Sequence, residues 1–413
     1  MKTQSDSCER TRWIMLGLAG LTAAIAVAMP TMAMPVLFAE MAADLDLTVL
    51  QIGAVWGIVS LAGLFVSLAG GTLGDRFGTR RMLTFACLGL GLTGAARGFA
   101  NDLPTLAATV FLAGLFSSAI PMNLHKVCGV WFSGKRLGMA NSVISGGMAL
   151  GFMLGSMVSA TVLSPWLGGW RGVLFLYGGV AVLMSIPWAF TRDRPVGAHA
   201  DSTTHAAPSV SIRMALAGVI RIRDVWLLGL ALMAFGGCIQ GFLGYLPLYL
   251  RDAGWAGARA DSALAAFHMA SLAAVLPMAW LSDRFRVRRG VLIIATAMAS
   301  VGVGLLSVTS GAAIWAGVLM AGVVRDGFMA LFMTTVTEVR GVGMRYAGTA
   351  LGLAMTLLRL GGLIAPPLGN GLATIGPRLP FVVWAAMGAL GLVALALVGP
   401  SPAEARVGGG RGR

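Results

Sequence analysis

Apolar runs of about twenty residues recur along the whole chain, and short segments between them hold most of the charge. A helix rising 1.5 Å per residue needs about 20 residues to cross the hydrocarbon core of a bilayer. The pattern predicts twelve such spans, at 13–37, 49–70, 82–98, 104–126, 138–164, 171–190, 224–249, 260–281, 290–309, 311–335, 346–368 and 378–398. Pro30, Pro35 and Pro121 fall inside predicted spans. They bend a membrane helix without ending it, because neighbouring groups satisfy the freed carbonyls. The longest polar stretch, 191–222, is too short and polar for a folded domain and reads as a linker, with room for an amphipathic piece at its C-terminal end. It separates residues 1–190 from 223–398, each expected to form a six-helix bundle, and 399–413 reads as a tail. The expected fold class is an all-α polytopic membrane protein, with twelve transmembrane helices in two pseudo-symmetric six-helix bundles.

Composition supports the bilayer as solvent. Hydrophobic residues make up 57% of the chain and charged residues 11%, against about 25% charge in soluble domains. The 58 glycines suit membrane helices, where small residues let backbones approach. Residues 13–33 do not read as a cleaved leader, since similar runs follow throughout. Cys87, Cys128 and Cys238 sit in predicted spans or at their edges without disulfide or metal-ligand spacing, and are expected to pack as small apolar residues; Cys8 lies in the N-terminal segment.

The formal charge of +14 invites a nucleic-acid reading, but the cations fall between spans and no aromatic-interleaved basic patch accompanies them. With both termini in the cytoplasm, inner segments hold 23 of the 30 Lys and Arg residues. The outer side holds only Arg97, Arg171, Arg251, Arg259 and Arg378. That asymmetry follows the positive-inside rule, so membrane lipids, not nucleic acid, are the expected macroscopic partner.

One charged cluster occurs twice. Gly71-Thr72-Leu73-Gly74-Asp75-Arg76-Phe77-Gly78-Thr79-Arg80-Arg81 returns as Ala279-Trp280-Leu281-Ser282-Asp283-Arg284-Phe285-Arg286-Val287-Arg288-Arg289, which points to one module used twice. Gly71 and Gly78 permit close approach and a tight turn, while Arg76, Arg80 and Arg81 suit an anionic inner surface. The cluster resembles the signature between helices two and three of the major facilitator superfamily, G-x-L-x-D-R-x-G-x-(R/K)-(R/K). The second copy keeps Leu281, Asp283, Arg284, Arg288 and Arg289 but has Ala279 and Arg286 at the two glycine positions. The resemblance implies a conformational latch, with Gly71, Asp75, Arg76, Gly78, Arg80, Asp283 and Arg284 as gating residues. It also implies a multi-pass protein of the bacterial cytoplasmic (inner) membrane that works as a monomer, without cofactor or metal.

A second segment, Trp131 to Ala140, resembles the loop into helix five of facilitators for organic anions, of the oxalate/formate and monocarboxylate kinds. Gly147, Gly151 and Gly155 follow at intervals of four and form a stripe of small residues on one helix face. Family drug/proton antiporters often carry Gly-Pro in this helix, where this chain has Gly155-Ser156. The membrane Asp/Arg pattern of monocarboxylate carriers on helix eight is not reproduced.

Ionisable groups inside a bilayer are costly, so the few present carry the functional weight. Arg325 and Asp326 fall near the middle of the tenth predicted span and Arg359 near the middle of the eleventh. Adjacent helical residues point about 100° apart, so Arg325 and Asp326 form either a structural pair or part of a coupling site. Arg359 has no acid along its own helix, and its planar fork suits a carboxylate, with Asp326 as the competing partner. The substrate-binding candidates are Arg359, Arg325, Gln240, Tyr245 and Asn123. Asp326 and His268 are the proton-coupling candidates.

These residues predict secondary active transport of a small organic anion, a carboxylate, coupled to a proton by alternating access. The rival reading is a proton-driven drug or metabolite efflux antiporter that uses Asp326 and an apolar cavity. A third class, a receptor built on the same scaffold, lacks a distinguishing feature. Catalysis is not expected, because no nucleophile–base pair or metal-ligand cluster occurs.

Overall fold

The computed structural model describes residues 2–191, 212–285 and 288–399. Twelve helices among them are long and apolar enough to cross a membrane. They are α1 (Glu9–Asp44), α2 (Val49–Ser67), α3 (Thr79–Phe99), α4 (Leu103–Trp131), α5 (Arg136–Leu167) and α6 (Trp170–Ala189), followed by α7 (Arg223–Asp252), α8 (Gly257–Met278), α9 (Arg288–Leu305), α10 (Gly311–Thr337), α11 (Tyr346–Gly371) and α12 (Leu379–Ala396). The chain is an all-α, multi-pass membrane protein. Each helix coincides with a predicted span.

Among the described residues, two helices widen locally from α geometry. A π-helical segment occupies Thr22–Ala28 in α1 and another occupies Ser159–Leu163 in α5. Pro30 and Pro165 each follow the wide segment by two residues. A proline supplies no N–H, so the preceding turn loses a hydrogen bond and can widen. The apolar pattern alone does not register this change.

The residues form two compact units. Of the described residues, the first comprises 2–191 and Leu246–His268, the second 212–245 and 269–399.

In the first unit, the predicted glycine stripe of α5 faces the backbone of α1. A Cβ on Gly147 would lie 2.6 Å from the Gly20 carbonyl oxygen, and one on Gly155 would lie 2.7 Å from Met29 Cα. Gly91 of α3 and Gly178 of α6 approach in the same way, a Cβ on Gly91 falling 2.7 Å from the Gly178 carbonyl oxygen. Trp188 Nε1 donates to Thr22 Oγ1 at 3.0 Å, tying α6 to the wide segment of α1. Cys87 and Cys128 are buried within the apolar core of this unit.

At the end carrying the α1–α2 turn, Ser164 donates to Glu40 at 2.6 Å and Trp170 Nε1 donates to Asp44 at 3.1 Å. Arg171 pairs with Asp44 and donates to the Ala100 carbonyl at 3.0 Å. One acid at the end of α1 thereby fixes the start of α6 and, through Arg171, the α3–α4 turn.

In the second unit, Phe235 of α7 stacks on Phe328 of α10 with centroids 3.8 Å apart. Trp384 of α12 donates to the Ala365 carbonyl of α11 at 2.7 Å. Arg288 pairs with Glu338 beyond the end of α10. Arg289 donates to the Leu395 and Ala396 carbonyls, at 3.1 and 2.6 Å, at the end of α12. A cation there meets the negative end of the helix dipole. A short helix, Ile212–Ile220, precedes α7 in the C-terminal part of the linker. The remainder of that linker from 192 to 211, and the tail from 400, lie outside the described residues.

Candidate substrate and coupling site

Five of the seven predicted substrate and coupling residues fall in the second unit: Gln240, Tyr245, Arg325, Asp326 and Arg359. Arg325 and Asp326 turn toward each other despite their adjacency, with Nη1 and Oδ1 3.0 Å apart. The Asp326 backbone N–H also donates to Ser271 Oγ of α8 at 3.1 Å. An N–H in mid-helix normally bonds within its own helix, so this contact pins α10 to α8 at the level of the ion pair.

Arg359 lies midway along α11 and is partly buried. It forms no ion pair and no hydrogen bond among the described residues. Tyr245 is buried, its hydroxyl donates to the Pro377 carbonyl at 3.1 Å, and its ring packs on Phe381 and Trp384. Gln240 of α7 is partly buried.

Asn123 and His268 belong to the first unit. Asn123 is buried on α4; its Nδ2 donates to the Ala119 carbonyl at 2.8 Å, and its Oδ1 accepts no hydrogen bond. A buried acceptor left without a donor costs about 1–3 kcal/mol, so it is a place where a ligand hydroxyl gains more than it loses. His268 is 1% exposed and meets Phe267 edge-on at 5.3 Å and Phe152 at 5.2 Å.

Two ionised groups of the first unit escaped the sequence reading. Asp261, in the first turns of α8, is fully buried. It accepts from Arg251 Nη2 at 2.6 Å and from Thr161 Oγ1 at 2.8 Å, the latter from the wide segment of α5. Its sequence signal was weak because an acid near the start of a span reads as an interfacial residue. The spacing of Arg251 and Asp261 around the α7–α8 turn is the signal that could have found the pair. Arg97, counted from sequence among the outer cations, is buried at the end of α3, with 7% exposure. Packing of α4 and α6 against this segment encloses it, and the position of a residue along its own helix cannot reveal such lateral cover.

Among the gating candidates, Gly78 has φ +77° and joins α3 to the helix before it, a conformation that favours glycine. Arg80 is exposed at the start of α3, and Arg284 stands over the Trp280 ring at 5.6 Å. The side chains of Asp75, Arg76 and Asp283, and the placement of Gly71 beyond its helical backbone, lie outside the described residues.

Residues 16–339 and 251–412 match the family profile of the Major Facilitator Superfamily. The chain belongs to the Major Facilitator Superfamily. Membership in this superfamily assigns secondary transport by alternating access, not catalysis. Superfamily relatives include a gallate transporter of Pseudomonas putida, 25% identical over 363 residues that cover 79% of this chain and 77% of the relative. A 3-(3-hydroxy-phenyl)propionate transporter of Escherichia coli is 24% identical over 329 residues, 79% of each chain. A gentisate transporter of Corynebacterium glutamicum is 24% identical over 340 residues, covering 79% of this chain and 74% of the relative. The superfamily fold is also that of a mutant form of the nucleoside transporter NupG, with TM-score 0.77, 12% identity and coverage of 94% of this chain and 100% of the other.

Proposed function

We propose that the protein carries a small organic anion, a carboxylate, together with a proton, across a bacterial inner membrane in which both termini face the cytoplasm. Arg359 is the observation that carries this reading. A guanidinium midway along a membrane helix, without a carboxylate among the described residues, is costly until a counter-charge arrives. Its planar fork matches a carboxylate in two parallel hydrogen bonds. The names of the gallate, gentisate and 3-(3-hydroxy-phenyl)propionate transporters support the same chemistry, because each denotes an acid with a carboxylate and a phenolic hydroxyl.

In this reading Asp326 takes the proton. Protonation removes the charge that holds Arg325, which then turns to the substrate beside Arg359. His268 is the second proton-coupling group, while Asn123 Oδ1 and Gln240 accept or donate to ligand hydroxyls. Tyr245 contributes its ring, since its hydroxyl is committed to Pro377. The gating cluster acts at the cytoplasmic end, and the protein works as a monomer among lipids without a cofactor.

Uptake into proteoliposomes tests the reading, with a panel of aliphatic and phenolic carboxylates and an imposed pH gradient, interior alkaline. Accumulation of at least one acid, driven by the gradient, is expected. Arg359→Gln should lower its affinity about tenfold or more, equivalent to ~1.4 kcal/mol. Asp326→Asn should retain exchange across the membrane and lose gradient-driven accumulation. Indifference to the whole panel, or unchanged affinity in Arg359→Gln, overturns the proposal. Gradient-driven movement of lipophilic cations instead would favour the drug-antiporter reading.

A further inference from the structure

Arg97 presents an electrostatic problem that carboxylate transport does not solve. Its side chain is enclosed within the first unit at 7% exposure. A guanidinium has five N–H donors, yet the one hydrogen bond Arg97 makes among the described residues runs from Nε to the Gly94 carbonyl at 3.2 Å. The acid nearest in sequence, Asp102, is exposed and accepts instead from Thr105 N at 2.9 Å, capping α4. The hydrogen bonds from the Thr105 hydroxyl and backbone hold that carboxyl below its ordinary range, so it is an occupied cap, not an available counter-ion.

Neutralisation by the helix is incomplete. The C-terminal end of α3 offers roughly half an elementary negative charge, against the full positive charge of Arg97. Burying an uncompensated cation costs several kcal/mol even after relaxation. The remaining N–H groups therefore call for an occupant that accepts hydrogen bonds and bears one negative charge.

A cavity lies beside Arg97. It has a volume of about 30 Å³ and is lined by Arg97 of α3, Thr31 and Met34 of α1, Trp56 of α2 and Ser117 of α4. That is room for a small ion or for a water or two and far below the roughly 300–1,000 Å³ of pockets for organic ligands. Thr31 and Ser117 already donate to their own helices, to Val27 at 2.6 Å and Gly114 at 3.1 Å, and bring no charge. A water would satisfy N–H groups but leave the charge. A polyvalent anion would overcompensate a single guanidinium in an otherwise apolar chamber.

We propose that the cavity beside Arg97 is a binding site for a monovalent, halide-sized anion, chloride in ordinary salt, held as a resident counter-ion within the first unit. The site is separate from Arg359 and stands whether or not the transported substrate is a carboxylate. It makes the stability of the protein depend on the identity of the anion in the medium.

Trp56 lines the cavity and supplies the reporter, because bromide and iodide quench indole fluorescence. The full-length protein in detergent is titrated with bromide against gluconate at constant ionic strength. A saturable quenching component is expected in the wild type, displaced by chloride, over a linear collisional background from the other tryptophans. The thermal midpoint should rise with chloride relative to gluconate. Both effects should vanish in Arg97→Gln. Trp56→Phe should lose the saturable quenching and keep the chloride-dependent midpoint, which leaves the test intact if Arg97→Gln fails to fold. Strictly linear quenching in the wild type, as a chamber holding only water would give, overturns the proposal. So does a midpoint indifferent to chloride, or a saturable component that persists in Arg97→Gln.

Discussion

Asp261 shows how a single side chain can join segments far apart in sequence. Its carboxylate receives Arg251 at 2.6 Å and Thr161 at 2.8 Å, with essentially no solvent access. Removing one partner of a buried ion pair strands the other charge, at a cost of about 3–5 kcal/mol, whereas removing both can be near neutral. Asp261→Ala should therefore lower the thermal midpoint markedly, and the double variant Arg251→Met/Asp261→Ala should recover much of the loss. Equal midpoints for the single and double variants would show that the pair is not coupled. Thr161→Val should cost less, because it deletes a neutral donor while Arg251 still compensates the carboxylate. Scarcity of charge made Arg359, Arg325 and Asp326 legible in the sequence, since a bilayer tolerates few such groups. The same logic passed over Asp261 and Arg97, which sit near span ends where charge is cheap. Their burial comes from neighbouring helices, and lateral packing is not written in the hydropathy of either segment.

At the scale of the helix, the spacing of four between glycines identified a close contact, and the structure supplies its partner. Gly147, Gly151 and Gly155 meet the backbone of α1, where a Cβ on Gly151 would fall 2.6 Å from Ala28 Cβ and 2.8 Å from Ala24 Cα. Gly146, one residue earlier, has nothing within 4 Å of its would-be Cβ. Gly151→Ala should destabilise the purified protein by about 1–3 kcal/mol through overpacking. Gly146→Ala should be neutral or gain up to ~1 kcal/mol from helix propensity. Thermal unfolding of the two variants in one detergent checks the contrast; equal midpoints would mean that α1 and α5 separate freely. The sequence marks the periodic face because 3.6 residues per turn aligns positions four apart. It does not mark the π-helical segments at Thr22–Ala28 and Ser159–Leu163, which change the register of that face by one residue. Thr161, which reaches Asp261, belongs to the second of these segments.

For the whole molecule, the number of spans was the most legible property, because bilayer thickness imposes one length on every helix regardless of its partners. Orientation rests on charge alone. Twelve crossings place the α3–α4 turn and the α4–α5 turn on opposite sides of the membrane, and the excess of Lys and Arg beside the second is the ground on which that side is proposed to be cytoplasmic. Asn101 lies in the first of these turns and Ser133 in the second, and both are exposed. In a background with the four native cysteines replaced, Asn101→Cys should react with a membrane-impermeant maleimide on intact cells. Ser133→Cys should react only after the membrane is opened. The reverse pattern would invert the orientation and move the Asp75 and Asp283 clusters to the outer face, where a cytoplasmic latch has no meaning. Reaction of both positions on intact cells would contradict the crossing by α4 itself. The expected pattern places the Asp261–Arg251–Thr161 network, which follows an odd number of crossings, toward the outside.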